Sequence, residues 1–177
     1  MSTVRLTPTS YVVLGMVAMR GPSTSYDLKR AVGHSVGYFW PFPHAQLYSE
    51  PKRLVEAGLL SLESETDGRR RQTYSITQAG MAALRKWLAE PTNEQLQVRD
   101  VAELKLFFGE FAEQDDVLAL ARQQVSQHQE RIAEYEEMRR RFGKRKDIAD
   151  RMVPLRLGLE LEYAALRFWE QLEKERS

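Results

Sequence analysis

The segment that most constrains this chain is residues 60–77. Leu60-Ser61-Leu62-Glu63-Ser64 alternates with period two, Thr66-Asp67-Gly68 supplies a turn, and Gln72-Thr73-Tyr74-Ser75-Ile76-Thr77 alternates again with Tyr74 and Ile76 on one face. This pattern predicts a two-stranded hairpin. Helical signals flank it. Thr7-Pro8 reads as an N-cap followed by proline at the first helical position, where its missing N–H costs nothing. That helix runs to about Arg20, shows Tyr11, Leu14, Val17 and Ala18 on one face, and stops at Gly21-Pro22.

A second helix starts at Ser23 or Ser25 and covers Tyr26–Val32 before Gly33, with Leu28 and Val32 inward and Lys29 and Arg30 toward water. Gly37–Pro43 (GYFWPFP) is an aromatic connection that proline keeps from being helical. A third helix is expected from His44 to about Ala57, with Leu47, Leu54 and Val55 apolar and Gly58 as its C-cap. Pro51 removes the hydrogen bond to the Leu47 carbonyl, which predicts a kink or a late start. Thr77 caps a fourth helix through Trp87-Leu88, ending near Pro91.

Helix, helix, helix, hairpin, helix is the order of a winged helix-turn-helix, whose third helix is angled to enter the major groove of DNA. The hairpin tip carries Arg69-Arg70-Arg71, three adjacent cations suited to a phosphate backbone or a narrow minor groove. Charge supports the placement. Residues 1–90 hold 11 Lys/Arg against 7 Asp/Glu, and residues 91–177 hold 15 against 18, so a net charge of +1 conceals a basic first half and an acidic second.

The same layout nominates individual contacts. Ser23, Thr24, Ser25 and Tyr26 stand at the second helix N-terminus, where free N–H groups favour a phosphate, although the serines also fit as caps and Tyr26 as packing. His44, Gln46, Tyr48, Ser49 and Lys52 are the polar residues early in the third helix. Gln46 has the groups to pair bidentately with adenine, and Lys52 suits a phosphate. His44 fits base contact, a cap or a surface imidazole alike. Arg53 and Lys29 read as flanking charges.

These residues resemble the PadR family of bacterial transcriptional regulators. YSEPKRLVEAGLL at Tyr48–Leu60 is similar to that family's recognition helix, DGRRRQTYSITQAGMAALRKWL at Asp67–Leu88 to its wing and following helix, and SYDLKR at Ser25–Arg30 to its second helix. The helical tail resembles the subfamily whose C-terminal part is related to virulence-activator proteins. The resemblance implies a dimeric DNA-binding regulator, commonly a repressor, some members of which are released by phenolic or other aromatic molecules.

In the second half, Val101, Leu104, Phe108 and Phe111 form a helical stripe. A longer stripe of Val117, Ala121, Val125, His128, Ile132, Tyr135, Met138 and Phe142 approximates a heptad seam, broken at Gly143-Lys144-Arg145-Lys146. The basic run Arg139–Lys146 reads as a solvated connection rather than a second nucleic-acid patch, since its surroundings are acidic. A last helix, starting near Asp150 or Pro154, carries two apolar stripes: Val153, Leu157, Leu161, Ala165, Phe168 and Leu172, and Leu155, Leu159, Tyr163, Leu166 and Trp169. One neighbour cannot cover so wide a surface, and a second subunit is the simplest additional cover. A homodimer of this kind sets two recognition helices about 34 Å apart, on a palindromic operator.

The fold expected is therefore mainly α with a small β-hairpin: a winged helix-turn-helix over 1–90 and a helical, coiled-coil-like dimerisation domain over 91–177. Phe39, Trp40, Phe42, Tyr163 and Trp169 are candidates to line an effector pocket between the halves, with plain aromatic core as the competing reading. Trp87 reads as structural. No HExxH, GxxxxGK[ST], GxSxG or GxGxxG occurs, the three histidines fall on separate elements, and there is no cysteine, so neither an enzyme nor a cofactor or metal is expected. The apolar run Tyr11–Met19 is about half the length of a membrane span, no targeting segment is apparent, and a cytoplasmic location is expected. The function expected is a sequence-specific transcriptional regulator, a repressor released by a small aromatic ligand. The alternatives are an activator of the same fold and a protein–protein interaction module.

Overall fold

The computed structural model describes residues 5–40, 43, 45–65 and 71–177, and the chain divides into two compact units, Met1–Glu94 and Gln95–Ser177. His44, Arg69, Arg70 and Phe42, named above, lie outside the described residues.

The first unit contains α1 (Pro8–Arg20), α2 (Ser25–Gly33), α3 (Gln46–Glu56), an antiparallel hairpin of β1 (Leu60–Ser64) and β2 (Gln72–Ile76), and α4 (Gln78–Ala89). Thr7 caps α1, reciprocally with Ser10, and Pro8 opens it. Its buried face is Ser10, Val13, Leu14, Met16 and Val17, rotated slightly from the predicted stripe, so Tyr11 and Ala18 sit half-buried at the edges. Gly21, at φ +80°, ends the helix.

The cap of α2 corrects the expectation. It is Thr24, neither Ser23 nor Ser25, and its hydroxyl accepts from the Asp27 N–H. Ser23 is committed elsewhere: its N–H donates to the Tyr74 carbonyl at 3.0 Å, its carbonyl accepts from the Tyr74 N–H at 2.9 Å, and its hydroxyl donates to the Gly21 carbonyl.

The third helix begins at Gln46, two residues later than the pattern suggested, with Pro51 buried inside it. It closes in a Schellman turn. Gly58, at φ +71°, donates to the Val55 carbonyl and Leu59 to the Leu54 carbonyl, both at 2.9 Å. The hairpin pairs Leu60 with Ile76 and Leu62 with Tyr74. Leu60 and Tyr74 join Val13, Leu14, Leu28, Val32, Leu47 and Leu54 in one core. Thr77 caps α4 through the Gly80 N–H and donates its own hydroxyl to the Gly58 carbonyl at 2.8 Å, so the helix starts locked to the turn after α3. Trp87 stacks on Tyr11 with centroids 4.5 Å apart, in line with its structural reading.

The second unit contains α5 (Val101–Phe107), a 3-10 turn at Gly109–Phe111, α6 (Gln114–Phe142), a 3-10 stretch at Lys146–Met152 and α7 (Val153–Arg176). The predicted stripe from Val101 to Phe111 is thus divided between α5 and the turn, and all four of its residues are exposed. The long helices α6 and α7 pack against each other. Val117, Ala121, Ile132 and Tyr135 of the predicted seam are buried, as are Leu159 and Trp169 of α7. Gly158 permits a close crossing, since a Cβ there would lie 3.0 Å from the Tyr135 ring. Polar pairs fill the rest: His128 Nδ1 lies 2.6 Å from Glu162 Oε2, and the Tyr163 hydroxyl donates to Glu136 Oε1 at 2.9 Å. Along the other stripe of α7, Val153, Leu157, Leu161 and Phe168 are each at least half exposed, while Ala165 and Leu172 pack against the Trp169 cluster.

Candidate nucleic-acid interface

Helix α3 divides by its period. Leu47, Pro51 and Leu54 fall on one side and are buried, which turns Gln46, Tyr48, Ser49 and Lys52 outward together. All four are exposed, and none is needed to fill the core. Gln46 is nonetheless partly engaged, because its Oε1 accepts from the Thr9 hydroxyl of α1 at 2.9 Å. The amide oxygen has a second lone pair, so the Thr9 bond fixes the orientation of the amide while bidentate pairing with adenine stays open to it.

Arg53 is corrected from flanking charge to structural anchor. Its Nε donates to Glu50 Oε2 at 2.9 Å and its Nη2 to Ser10 Oγ at 2.9 Å, and Nη1 reaches the Arg5 carbonyl. Glu50 has only 12% of its side chain exposed. Burial alone would push its carboxyl up; the hydrogen bonds from Arg53 and Ser10 and the Arg53 charge together hold it below the ordinary glutamate range. This network fixes α3 against α1 and so sets how the outward face is presented.

At the start of α2 the expected contacts separate. Ser23 is 3% exposed with both backbone groups and its hydroxyl engaged, which removes it from the set of outward contacts. Thr24 is occupied as the cap, Ser25 is half-buried, and Tyr26 is 63% exposed. Asp27 was missed by the sequence reading. Its Oδ2 accepts from the Thr24 hydroxyl at 2.7 Å and the Thr24 N–H at 3.0 Å. Those bonds, aided by the charges of Arg71 and Arg20 and opposed by burial, hold its carboxyl below the ordinary aspartate range. Arg71 is exposed where β2 leaves the hairpin loop, with Nη2 3.7 Å from the same Oδ2.

Residues 13–86, which hold α2, α3 and the hairpin, match the transcriptional regulator PadR-like family, and residues 98–175 match the virulence activator alpha C-terminal family.

The chain is 25% identical over 126 residues to the negative transcriptional regulator PadR of Bacillus subtilis (strain 168), covering 70% of this chain and 69% of that one. The crystal structure of Bacillus subtilis PadR in complex with operator DNA superposes with a TM-score of 0.85 at 20% identity, covering 95% of this chain and 98% of the other. The same regulator in complex with p-coumaric acid gives 0.79 at 20% identity, over 97% and 98%. The Vibrio cholerae virulence activator AphA gives 0.73 at 27% identity, over 94% and 96%.

The remaining candidates fall in different places. Phe39 and Trp40 are exposed in the first unit, just after a 3-10 turn at Val36–Tyr38. In the second unit Tyr163 is half-buried on Glu136, and Trp169 is 3% exposed, packed with Ala102 and Ala121. The second unit also holds an open groove of about 620 Å³ lined by Val101, Leu104, Lys105, Phe108, Val117 and Leu120, among other residues, and none of those four aromatics lines it. In the basic run, Arg139 pairs with Glu136, Arg140 with Glu137 and Arg145 with Asp147, as in a solvated connection. Among the described residues, no helix is long and apolar enough to cross a membrane.

Proposed function

We propose that this chain is a PadR-family regulator that binds a palindromic DNA operator as a homodimer and represses transcription until a small aromatic ligand releases it. The observation that carries the DNA reading is the outward face of α3, where Gln46, Tyr48, Ser49 and Lys52 stand free of the core beside a hairpin whose tip sequence is Arg69-Arg70-Arg71. Lys52, Arg69 and Arg70 meet phosphate; Gln46, Tyr48, Ser49 and His44 face base edges. The operator complex of Bacillus subtilis PadR supports the DNA reading. The sense of regulation follows the negative regulator of Bacillus subtilis, while the likeness to AphA keeps activation as the competing sense.

The dimer rests on the bare stripe of α7, because four large apolar side chains in a row need a cover that a single subunit lacks. The ligand rests on the p-coumaric acid complex of Bacillus subtilis PadR. Phe39, Trp40 and Tyr163 are its contact candidates, and Trp169 is too buried to serve without opening α6 from α7.

The deciding experiment recovers DNA from a random pool with the purified protein. A palindrome with half-sites one helical turn apart is expected, with nanomolar affinity that falls as salt rises. Replacing Arg69, Arg70 and Arg71 together with alanine should weaken binding to every sequence and flatten the salt slope. An absence of enriched sequence, together with no binding in dilute buffer, would reject the proposal.

A further inference from the structure

The sequence reading gave the α2 N-terminus to a DNA phosphate and Arg71 to the DNA backbone. At both places the chain already supplies a partner of its own. The N-terminus of α2 attracts anions through its free N–H groups and its dipole, and the anion it holds is the carboxylate of Asp27, bonded to the Thr24 N–H and hydroxyl. An incoming phosphate would meet a like charge there. Arg71 supplies the balancing cation, 3.7 Å from the same carboxylate oxygen. Next to this pair, Ser23 and Tyr74 exchange two backbone hydrogen bonds, so the entry to α2 and the second strand of the hairpin are joined at adjacent points. Beyond the paired strands, the Glu65 N–H still donates to the Arg71 carbonyl at 3.1 Å, so Arg71 touches α2 with its side chain and the opposite strand with its backbone.

We propose that Asp27 and Arg71 form a latch that sets the direction of the wing: Arg71 is a positioning residue, not a phosphate contact, and the α2 N-terminus is closed to DNA. The inference rests on the DNA-binding reading for its purpose, but the latch itself is a property of the free protein. It divides the three wing arginines by role, leaving Arg69 and Arg70 for the nucleic acid.

The test uses the full-length protein and the sequence enriched from the random pool. Affinity is measured against salt for the parent, Arg71→Gln, Arg71→Lys, Asp27→Asn and the double variant Asp27→Asn/Arg71→Gln. A latch predicts that Arg71→Gln and Asp27→Asn each weaken binding by a similar factor, about two- to fivefold for an exposed pair. Their salt slopes should run parallel to the parent's, the double variant should be no weaker than either single, and Arg71→Lys should restore part of the loss. If Arg71 instead meets a phosphate, Arg71→Gln lowers the slope by about 0.9 and Asp27→Asn tightens binding; that outcome overturns the proposal. A second readout needs no DNA. The Glu65 amide should exchange its hydrogen faster in both single variants, and unchanged protection would also overturn the latch. If the parent protein binds no DNA at all, the functional reading fails, and hydrogen exchange still decides the latch.

Discussion

Arg53 grips Glu50 with two nitrogens, Nε to Oε2 at 2.9 Å and Nη2 to Oε1 at 2.5 Å, while that same Nη2 reaches the fully buried Ser10 hydroxyl. Removing the guanidinium strands a nearly buried carboxylate. Arg53→Ala should therefore destabilise the first unit by about 1–2 kcal/mol, read as a lower urea midpoint with an unaltered m-value. Arg53→Lys should recover little, since a single ammonium cannot reproduce the fork. The pair also gives a pH dependence. Because the folded Glu50 carboxyl is held below its ordinary range, its stabilisation is complete above the unfolded value of about 4.3 and is lost as pH falls through the lower folded value. Denaturation curves between pH 3 and 6 should be flatter for Glu50→Gln than for the parent.

Gly80 gives a test with an unusual sign. Alanine is ordinarily better than glycine inside a helix by up to about 1 kcal/mol. A Cβ on Gly80 would sit 2.1 Å from the Leu59 carbonyl oxygen, where α4 is locked to the turn after α3. Gly80→Ala should destabilise by about 1–3 kcal/mol, measured by thermal or urea unfolding. A stabilised variant would mean that α4 does not approach the turn this closely.

Thr9 is expected to tune base choice without touching DNA. Its hydroxyl donates to Gln46 Oε1 and so holds the amide in one orientation, with a lone pair of the oxygen and the N–H groups left for a base. Thr9→Val should release the amide and relax base choice at one position of each half-site by about fivefold or more, seen by comparing the pools enriched by the two proteins. Identical pools would separate Gln46 from base reading.

The bare side of α7 predicts assembly. Leu157→Glu/Leu161→Glu places two charges on residues that are at least half exposed and do not form the α6–α7 core. The double variant should keep its helix content by circular dichroism yet sediment as a single subunit, where the parent sediments as two. Loss of operator binding should accompany it, because two half-sites reward only a linked pair.

Trp40 is the expected reporter for a small aromatic ligand, being an exposed ring on an irregular segment. Titration with a panel of simple phenols should quench tryptophan fluorescence and release the operator, and Trp40→Phe should abolish most of the signal. No quenching across the panel would exclude the ligand.

Local chemistry was the most legible part of this chain. Thr7 and Thr77 as caps, Gly58 as a left-handed stop and the alternation from Leu60 to Ile76 each depend on neighbours a few residues away. Ambiguity began where a distant partner decides. Ser23, Thr24 and Ser25 can all cap a helix, and the choice falls to Thr24 because Tyr74, far along the chain, claims the backbone of Ser23. Glu50 and Arg53 look like ordinary surface charges until Ser10 arrives from α1. Both apolar stripes of α7 could be read, but not which residues face α6, since that is decided by the fit of Trp169 against Ala102 and Ala121, which draws in Ala165 and Leu172 of the other stripe as well.

The uncovered ridge of α7 has a bearing on how such a chain lives in a cell. Under the proposed dimer, each newly made copy carries Val153, Leu157, Leu161 and Phe168 to water until it meets a sibling, so the amount synthesised would set how much of the pool is paired.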